Sequence, residues 1–107
     1  MHSKPGKDAA RRHPAGTVVA RIPGLLRSYT AGAATVALAD LHAGATLGDA
    51  LAELDRRYPG LRFRIVDEQG ALRPHIKIFV DGTLQRELAA PLPPAADLMI
   101  VGALSGG

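Results

Sequence analysis

Thr46-Leu47-Gly48-Asp49-Ala50-Leu51-Ala52-Glu53-Leu54-Asp55-Arg56-Arg57-Tyr58-Pro59-Gly60 is the stretch whose reading decides the fold. Leu47, Ala50, Leu51, Leu54 and Tyr58 recur at three-and-four spacing, which gathers them on one side of an α-helix. Thr46 suits the N-cap, with Asp49 three residues on as the reciprocal partner. Asp49 and Glu53 suit the positive end of the helix dipole. Arg56 and Arg57 occupy the last turn, and Pro59-Gly60 ends the helix. A single amphipathic helix of this length has one apolar side to cover, and the rest of the chain must supply the surface that covers it.

Working outward, the flanks read as strands. Thr17-Val18-Val19-Ala20-Arg21-Ile22-Pro23 is β-rich, and Pro23 marks its end or an edge. Gly24 to Gly32 is a loop that Leu25 or Leu26 anchors to the core. Ala34 to Leu38 returns as a second strand, so the first two form a hairpin, and His42 to Ala45 turns into the helix. After the helix, Leu61, Phe63 and Ile65 alternate with Arg62 and Arg64, which reads as a short strand or an extended connection. Asp67 to Gly70 is a turn. His75-Ile76-Lys77-Ile78-Phe79-Val80 before Asp81-Gly82 is a strand entering a tight hairpin, and Thr83 to Arg86 is its short return. Leu88 to Pro94 connects, with Leu92 plugging the core. Leu98 to Ala103 is a last apolar strand, expected at the centre of the sheet and parallel to the first. Two hairpins, one helix between them and a closing strand define an α+β arrangement. The expectation is a β-grasp (ubiquitin-like) fold, with a mixed sheet of four or five strands packed on one main helix.

Composition narrows the function. At 107 residues the chain is one domain at most, with a modest core. Two Phe, two Tyr and no Trp make that core aliphatic. No cysteine is present, which removes disulfides, thiolate metal sites and a cysteine nucleophile. No apolar run reaches a membrane span, and no secretory segment leads the chain, so a cytoplasmic protein is expected. The net charge of +3 lies in residues 1–16, where Lys4, Lys7, Arg11 and Arg12 face only Asp8. The body balances nine basic against nine acidic residues, so it offers no nucleic-acid face. Residues 1–16 are therefore expected to be a disordered basic tail, residues 17–103 the domain, and residues 104–107 a flexible ending. His2 and His13 lack a second ligand at useful spacing, and no metal site is expected.

That ending, Leu104-Ser105-Gly106-Gly107, presents a carboxylate on a stalk without bulky side chains. Terminal residues commonly fray and carry no function. Here the stalk follows directly on a strand, and glycine permits close backbone approach inside a narrow site. The expected functional group is thus the α-carboxylate of Gly107, with Leu104, Ser105 and Gly106 threading it into a partner's active site.

Ile78-Phe79-Val80-Asp81-Gly82, the Pro91-Leu92 connection, Asp97-Leu98-Met99-Ile100 and the terminal Ala103-Leu104-Ser105-Gly106-Gly107 resemble the MoaD/ThiS ubiquitin-like sulfur carriers. Arg21-Ile22-Pro23-Gly24-Leu25-Leu26-Arg27, then Tyr29-Thr30, is similar to the opening of the cysteine-biosynthesis carriers of the CysO kind. The resemblance covers residues 17–107; only the terminal Gly-Gly is specific to function, and the basic tail is foreign to the pattern. It implies a cosubstrate rather than an enzyme, with no bound cofactor. A ubiquitin-activating-type enzyme uses ATP to adenylate Gly107, and a sulfur donor converts the acyl adenylate to a thiocarboxylate. A sulfur-accepting synthase, either a cysteine synthase or the large subunit of molybdopterin synthase, then takes the sulfur. The absence of cysteine agrees, because the two methionines carry only thioether sulfur. Cysteine biosynthesis is favoured, molybdopterin synthesis comes next, and thiamine-type and tRNA thiolation stay open. The alternatives are a modifier conjugated to lysines and a β-grasp binding module whose ending is accidental.

Strand alternation adds a surface. Ile76, Ile78 and Val80 share one face, and Lys77 and Phe79 the other. With Leu98 and Ile100 inward, Phe79, Met99 and Val101 form an apolar patch beside the tail, a candidate partner interface. Arg56, Arg57, Arg62 and Arg64 read as a solvated basic rim or as guides for an acidic partner. Asp67-Glu68 reads as a solvated turn. Ser3, Ser28 and Ser105 form no triad with His42 or His75 on sequence grounds.

Overall fold

The helix runs from Leu47 to Arg57 (α1) and starts at the expected residue. The Thr46 hydroxyl accepts from the Asp49 N–H at 3.0 Å, and the Asp49 carboxylate accepts from the Thr46 N–H at 2.9 Å. This reciprocal pair satisfies two groups that a helix start otherwise leaves to water. The next donors find carbonyls from a distant segment: Leu47 N–H bonds Ala90 at 2.9 Å and Gly48 N–H bonds Leu88 at 2.8 Å. The proline-containing connection therefore lies across the first turn of α1. Leu92 is buried there, and its N–H reaches the Ala45 carbonyl.

The computed structural model describes residues 16–102. The expected basic tail, apart from Gly16, and the ending 103–107 lie outside the described residues. Five strands form one sheet: β1 (Val18–Arg21), β2 (Thr35–Leu38), β3 (Ile76–Val80), β4 (Thr83–Leu84) and β5 (Asp97–Gly102). Their order is β2-β1-β5-β3-β4. β5 is central, parallel to β1 and antiparallel to β3, while β1–β2 and β3–β4 are antiparallel hairpins. This is the β-grasp arrangement read from the sequence. Leu47, Ala50, Leu51 and Leu54 of α1 are buried with the inward residues Val18, Ala20, Ile76, Ile78, Leu98 and Ile100 in one cluster. Each large side chain so buried contributes about 1.5–3 kcal/mol of transfer free energy.

The two-residue turn between β3 and β4 has positive φ at Asp81 (49°) and Gly82 (87°), as a type I′ hairpin demands. Asp81 also ties the hairpin to the central strand. Its carboxylate accepts from the Asp97 N–H at 2.8 Å, and its own N–H bonds the Asp97 carbonyl at 2.9 Å.

One segment departs from the sequence reading. Leu61–Ile65 is neither strand nor extended connection but a short helix, α2. Asp55, on the last turn of α1, accepts from the Gly60 and Arg62 N–H groups, each at 3.1 Å. That contact holds the chain in a helical turn. Leu61 and Ile65, four apart, are fully buried, while Phe63 points outward with 56% of its surface exposed. An alternating triplet satisfies a four-residue helical pair equally well, and the capping carboxylate lies outside the triplet.

The rim arginines are also more engaged than the sequence suggests. Arg56 Nε donates to Glu53 at 2.9 Å, and Arg57 donates to Glu53 at 3.1 Å and to the Ala37 carbonyl at 2.6 Å. The Arg56 hydrogen bond leads in lowering the Glu53 pKa to about 2, Arg57 adds to it, and burial opposes both.

Candidate docking face and tail exit

The sheet has a covered face and an open one. On the open face the register sets Phe79 opposite Leu84 on one side and Met99 on the other. Met99 in turn neighbours Arg21, and Lys77 neighbours Val101. Met99 is 46% exposed and Val101 36%, while Phe79 is half-buried. The three expected interface residues thus lie on adjacent strands and form one apolar strip. Leu84, which the sequence reading did not single out, extends it. The signal was available: a two-residue Asp-Gly turn sets Leu84 across from Phe79.

Arg21 borders the strip and holds Asp97 in a two-pronged pair, Nε–Oδ1 and Nη2–Oδ2 both at 2.9 Å. Hydrogen bonding to Asp97 raises the pKa of the Arg21 guanidinium further. The pair crosses the parallel β1–β5 seam and is exposed at both ends. Being bidentate, it fixes side-chain geometry on the open face more than it stabilises the fold.

β5 leaves the sheet at Gly102, whose neighbour in register is Ile76. A single 3-10 turn, Gly24–Leu26, meets it there. Leu26 is the buried anchor, whereas Leu25 is exposed and lies over Gly102. A Cβ at Gly102 would fall 2.7 Å from the Leu25 Cδ2 and 3.4 Å from the Ile76 Cδ1. A side chain here would require the exposed Leu25 side chain to swing aside. The loop behind is braced from within: the buried Thr30 hydroxyl donates to the Ala33 carbonyl at 2.8 Å, and Arg27 Nε donates to the Ile22 carbonyl at 2.9 Å. Gly107, Leu104, Ser105 and Gly106, the expected reactive terminus and its stalk, lie outside the described residues. Among the described residues, no three His, Asp or Glu side chains gather as metal ligands, and no helix is long and apolar enough to cross a membrane.

A mixed five-stranded sheet wound in this order over one long helix defines a ubiquitin-like β-grasp protein. Within that fold the chain is similar in sequence and structure to SAMP1 and CysO proteins, as three solved structures indicate. SAMP1 of Haloferax volcanii matches with 29% identity and a TM-score of 0.73, over 86% of this chain and 100% of that one. The BexX/CysO complex of Amycolatopsis orientalis matches with 28% identity and a TM-score of 0.71, over 84% and 99%. CysO of Mycobacterium tuberculosis, described as an antigen, matches with 27% identity and a TM-score of 0.69, over 81% and 99%. No family model matches the chain, and no curated protein matches it by sequence. Two further matches are described as small archaeal modifier proteins, from Haloferax volcanii and Methanosarcina acetivorans.

Proposed function

We propose that this protein is a sulfur carrier whose reactive group is the carboxylate of Gly107. The observation that carries the reading is the position of β5. The central strand is gripped on both sides by β1 and β3, and its described end at Gly102 lies beside an exposed apolar strip. A rigid body with an adaptable, Met-containing face beside its working end suits a cosubstrate that must meet several enzymes in turn.

In this reading a ubiquitin-activating-type enzyme joins the Gly107 carboxylate to the α-phosphorus of ATP and releases pyrophosphate. A sulfur donor then displaces AMP from the acyl carbon, leaving a thiocarboxylate. Adenylation is needed because a carboxylate is a poor acyl donor, and dividing the substitution lowers each barrier. A sulfur-accepting synthase takes the sulfur; cysteine biosynthesis is favoured over molybdopterin synthesis by the Ile22-Pro23 to Thr30 stretch and the likeness to CysO. The test is intact mass after incubation with the source organism's activating enzyme, ATP and sulfide. Replacement of one oxygen by sulfur, located on the C-terminal peptide, is expected; an unchanged mass overturns the reading.

The likeness to small archaeal modifier proteins favours a second role, conjugation to lysines through the same activated end. A ladder of adducts on other proteins would identify it. One residue appended after Gly107 abolishes both roles, whereas a plain binding module would be indifferent to it.

A further inference from the structure

Of the nine arginines and lysines among the described residues, three are held in ion pairs and six are not, Arg62 and Arg86 being two of the six. Arg21, Arg56 and Arg57 are paired with Asp97, Glu53 and Asp40. Arg27, Arg64, Arg73 and Lys77 make no ion pair among the described residues, and they lie around the exit of β5. Arg27 lines a shallow groove with Pro23, Met99, Val101 and Gly102. Arg64, Arg73 and His75 line another with Leu25 and Phe63, where Glu68 is the lone carboxylate. Lys77 sits beside Val101 in register. Leu25, resting on Gly102, belongs to the second groove and so joins it to the root of the tail.

These cations are held outward on aromatic supports. Arg73 stacks on Phe63 at 4.6 Å from the ring centroid while its Nε donates to the Phe63 carbonyl at 2.7 Å. Arg64 lies over the Tyr29 ring at 5.9 Å. Stacking immobilises a guanidinium without neutralising it. Arginine and aromatic side chains presented together, with Phe63 more than half exposed, have the composition of an interface centre.

We infer that this collar, which meets the Phe79-Met99-Val101 strip at Arg27 and Lys77 and continues past Leu25 to Arg64 and Arg73, is a further docking surface for the activating enzyme. It recognises an acidic rim around the channel that receives the tail. The inference rests on the carrier reading. Charge complementarity selects the occupant: four cations outside any ion pair among the described residues, with Glu68 in the groove and Asp67 within reach of Arg73, attract a negative protein surface and orient the encounter before the tail threads.

The experiment measures adenylation kinetics with the source organism's ubiquitin-activating-type enzyme, varying carrier and salt. Arg64→Glu is expected to raise KM for the carrier about tenfold and flatten its salt dependence, with kcat unchanged. Phe63→Ala, which removes an exposed ring, is expected to raise KM with the salt dependence retained. Arg86→Glu, an equal charge change outside the collar, should leave both constants as they are. Equal KM for wild type, Arg64→Glu and Phe63→Ala overturns the inference while the carrier reading stands. No adenylation of wild type overturns both. A gel shift of the source organism's tRNA by wild type, abolished by Arg64→Glu, reassigns the collar to nucleic acid and overturns the proposal as well.

Discussion

The two faces of one sheet are built from alternate residues of the same strands, and they do different work. In β5, Leu98 and Ile100 are buried under α1, while Met99 and Val101, their immediate neighbours, face outward. In β3, Ile76 and Ile78 are buried, and Lys77 and Phe79 lie on the open face. The inner face is pure aliphatic packing. The outer face mixes apolar side chains with a fixed Arg21–Asp97 pair and a lysine. Stability is therefore concentrated on one side of the sheet and the proposed recognition surface lies on the other, so substitutions one residue apart should separate the two properties.

The largest separation is expected at Ile78, which is completely buried. Ile78→Ala should cost about 2–5 kcal/mol by urea denaturation, the sum of lost transfer energy and a residual cavity. Met99→Ala, on the neighbouring strand, should stay within about 0.5 kcal/mol of wild type. Equal losses at the two positions would break the distinction between the faces. Met99→Asp sharpens it from the other side: the domain should still fold, while kcat/KM for adenylation falls about tenfold, on the order of one hot-spot side chain.

A smaller effect is expected at the start of α1. Thr46→Ala removes one half of the reciprocal cap and should cost about 1 kcal/mol. Adenylation of the folded fraction should be unaffected, because the cap lies on the covered side of the sheet.

Acid should act on the covered side too. The Glu53 pKa is depressed in the fold to about 2, with the Arg56 hydrogen bond as the first cause. A depressed carboxylate stabilises the fold fully above its unfolded pKa of about 4.3, and the contribution is lost as pH falls towards the folded value. Asp49 and Asp67, both lowered by backbone hydrogen bonds, act in the same direction. Stability should therefore be flat near neutrality and decline below about pH 4.5. Glu53→Gln should lessen the decline in a series of urea midpoints between neutral and acid pH. An unchanged pH profile would show that the arginines do not hold this carboxylate.

Much of the arrangement was legible because local chemistry and the overall fold agree. The capping box at Thr46, the Asp81-Gly82 turn and the alternation in β3 and β5 each depend on a few adjacent residues. The strip of Phe79, Met99 and Val101 followed from that alternation plus one assumption, that the charged Lys77 faces solvent. Leu61 to Ile65 was misread because its periodicity fits two structures and the choice is made by Asp55, six residues before the start of α2. The engagement of Arg57 was invisible for the same reason, since its partner carbonyl belongs to Ala37, twenty residues away.

By itself the chain order determined the helix and its ends, the hairpin turns, the apolar closing strand and the glycine-rich ending, because period, caps and turn residues act over a few bonds. Only the tertiary structure decided that Leu25 would lie on Gly102, that Arg21 would find Asp97, and that Arg27, Arg64 and Arg73 would surround the tail exit without carboxylate partners among the described residues. Those contacts join segments tens of residues apart. They form only when burial of the shared aliphatic core draws the segments together, and no local pattern encodes which side chains then become neighbours.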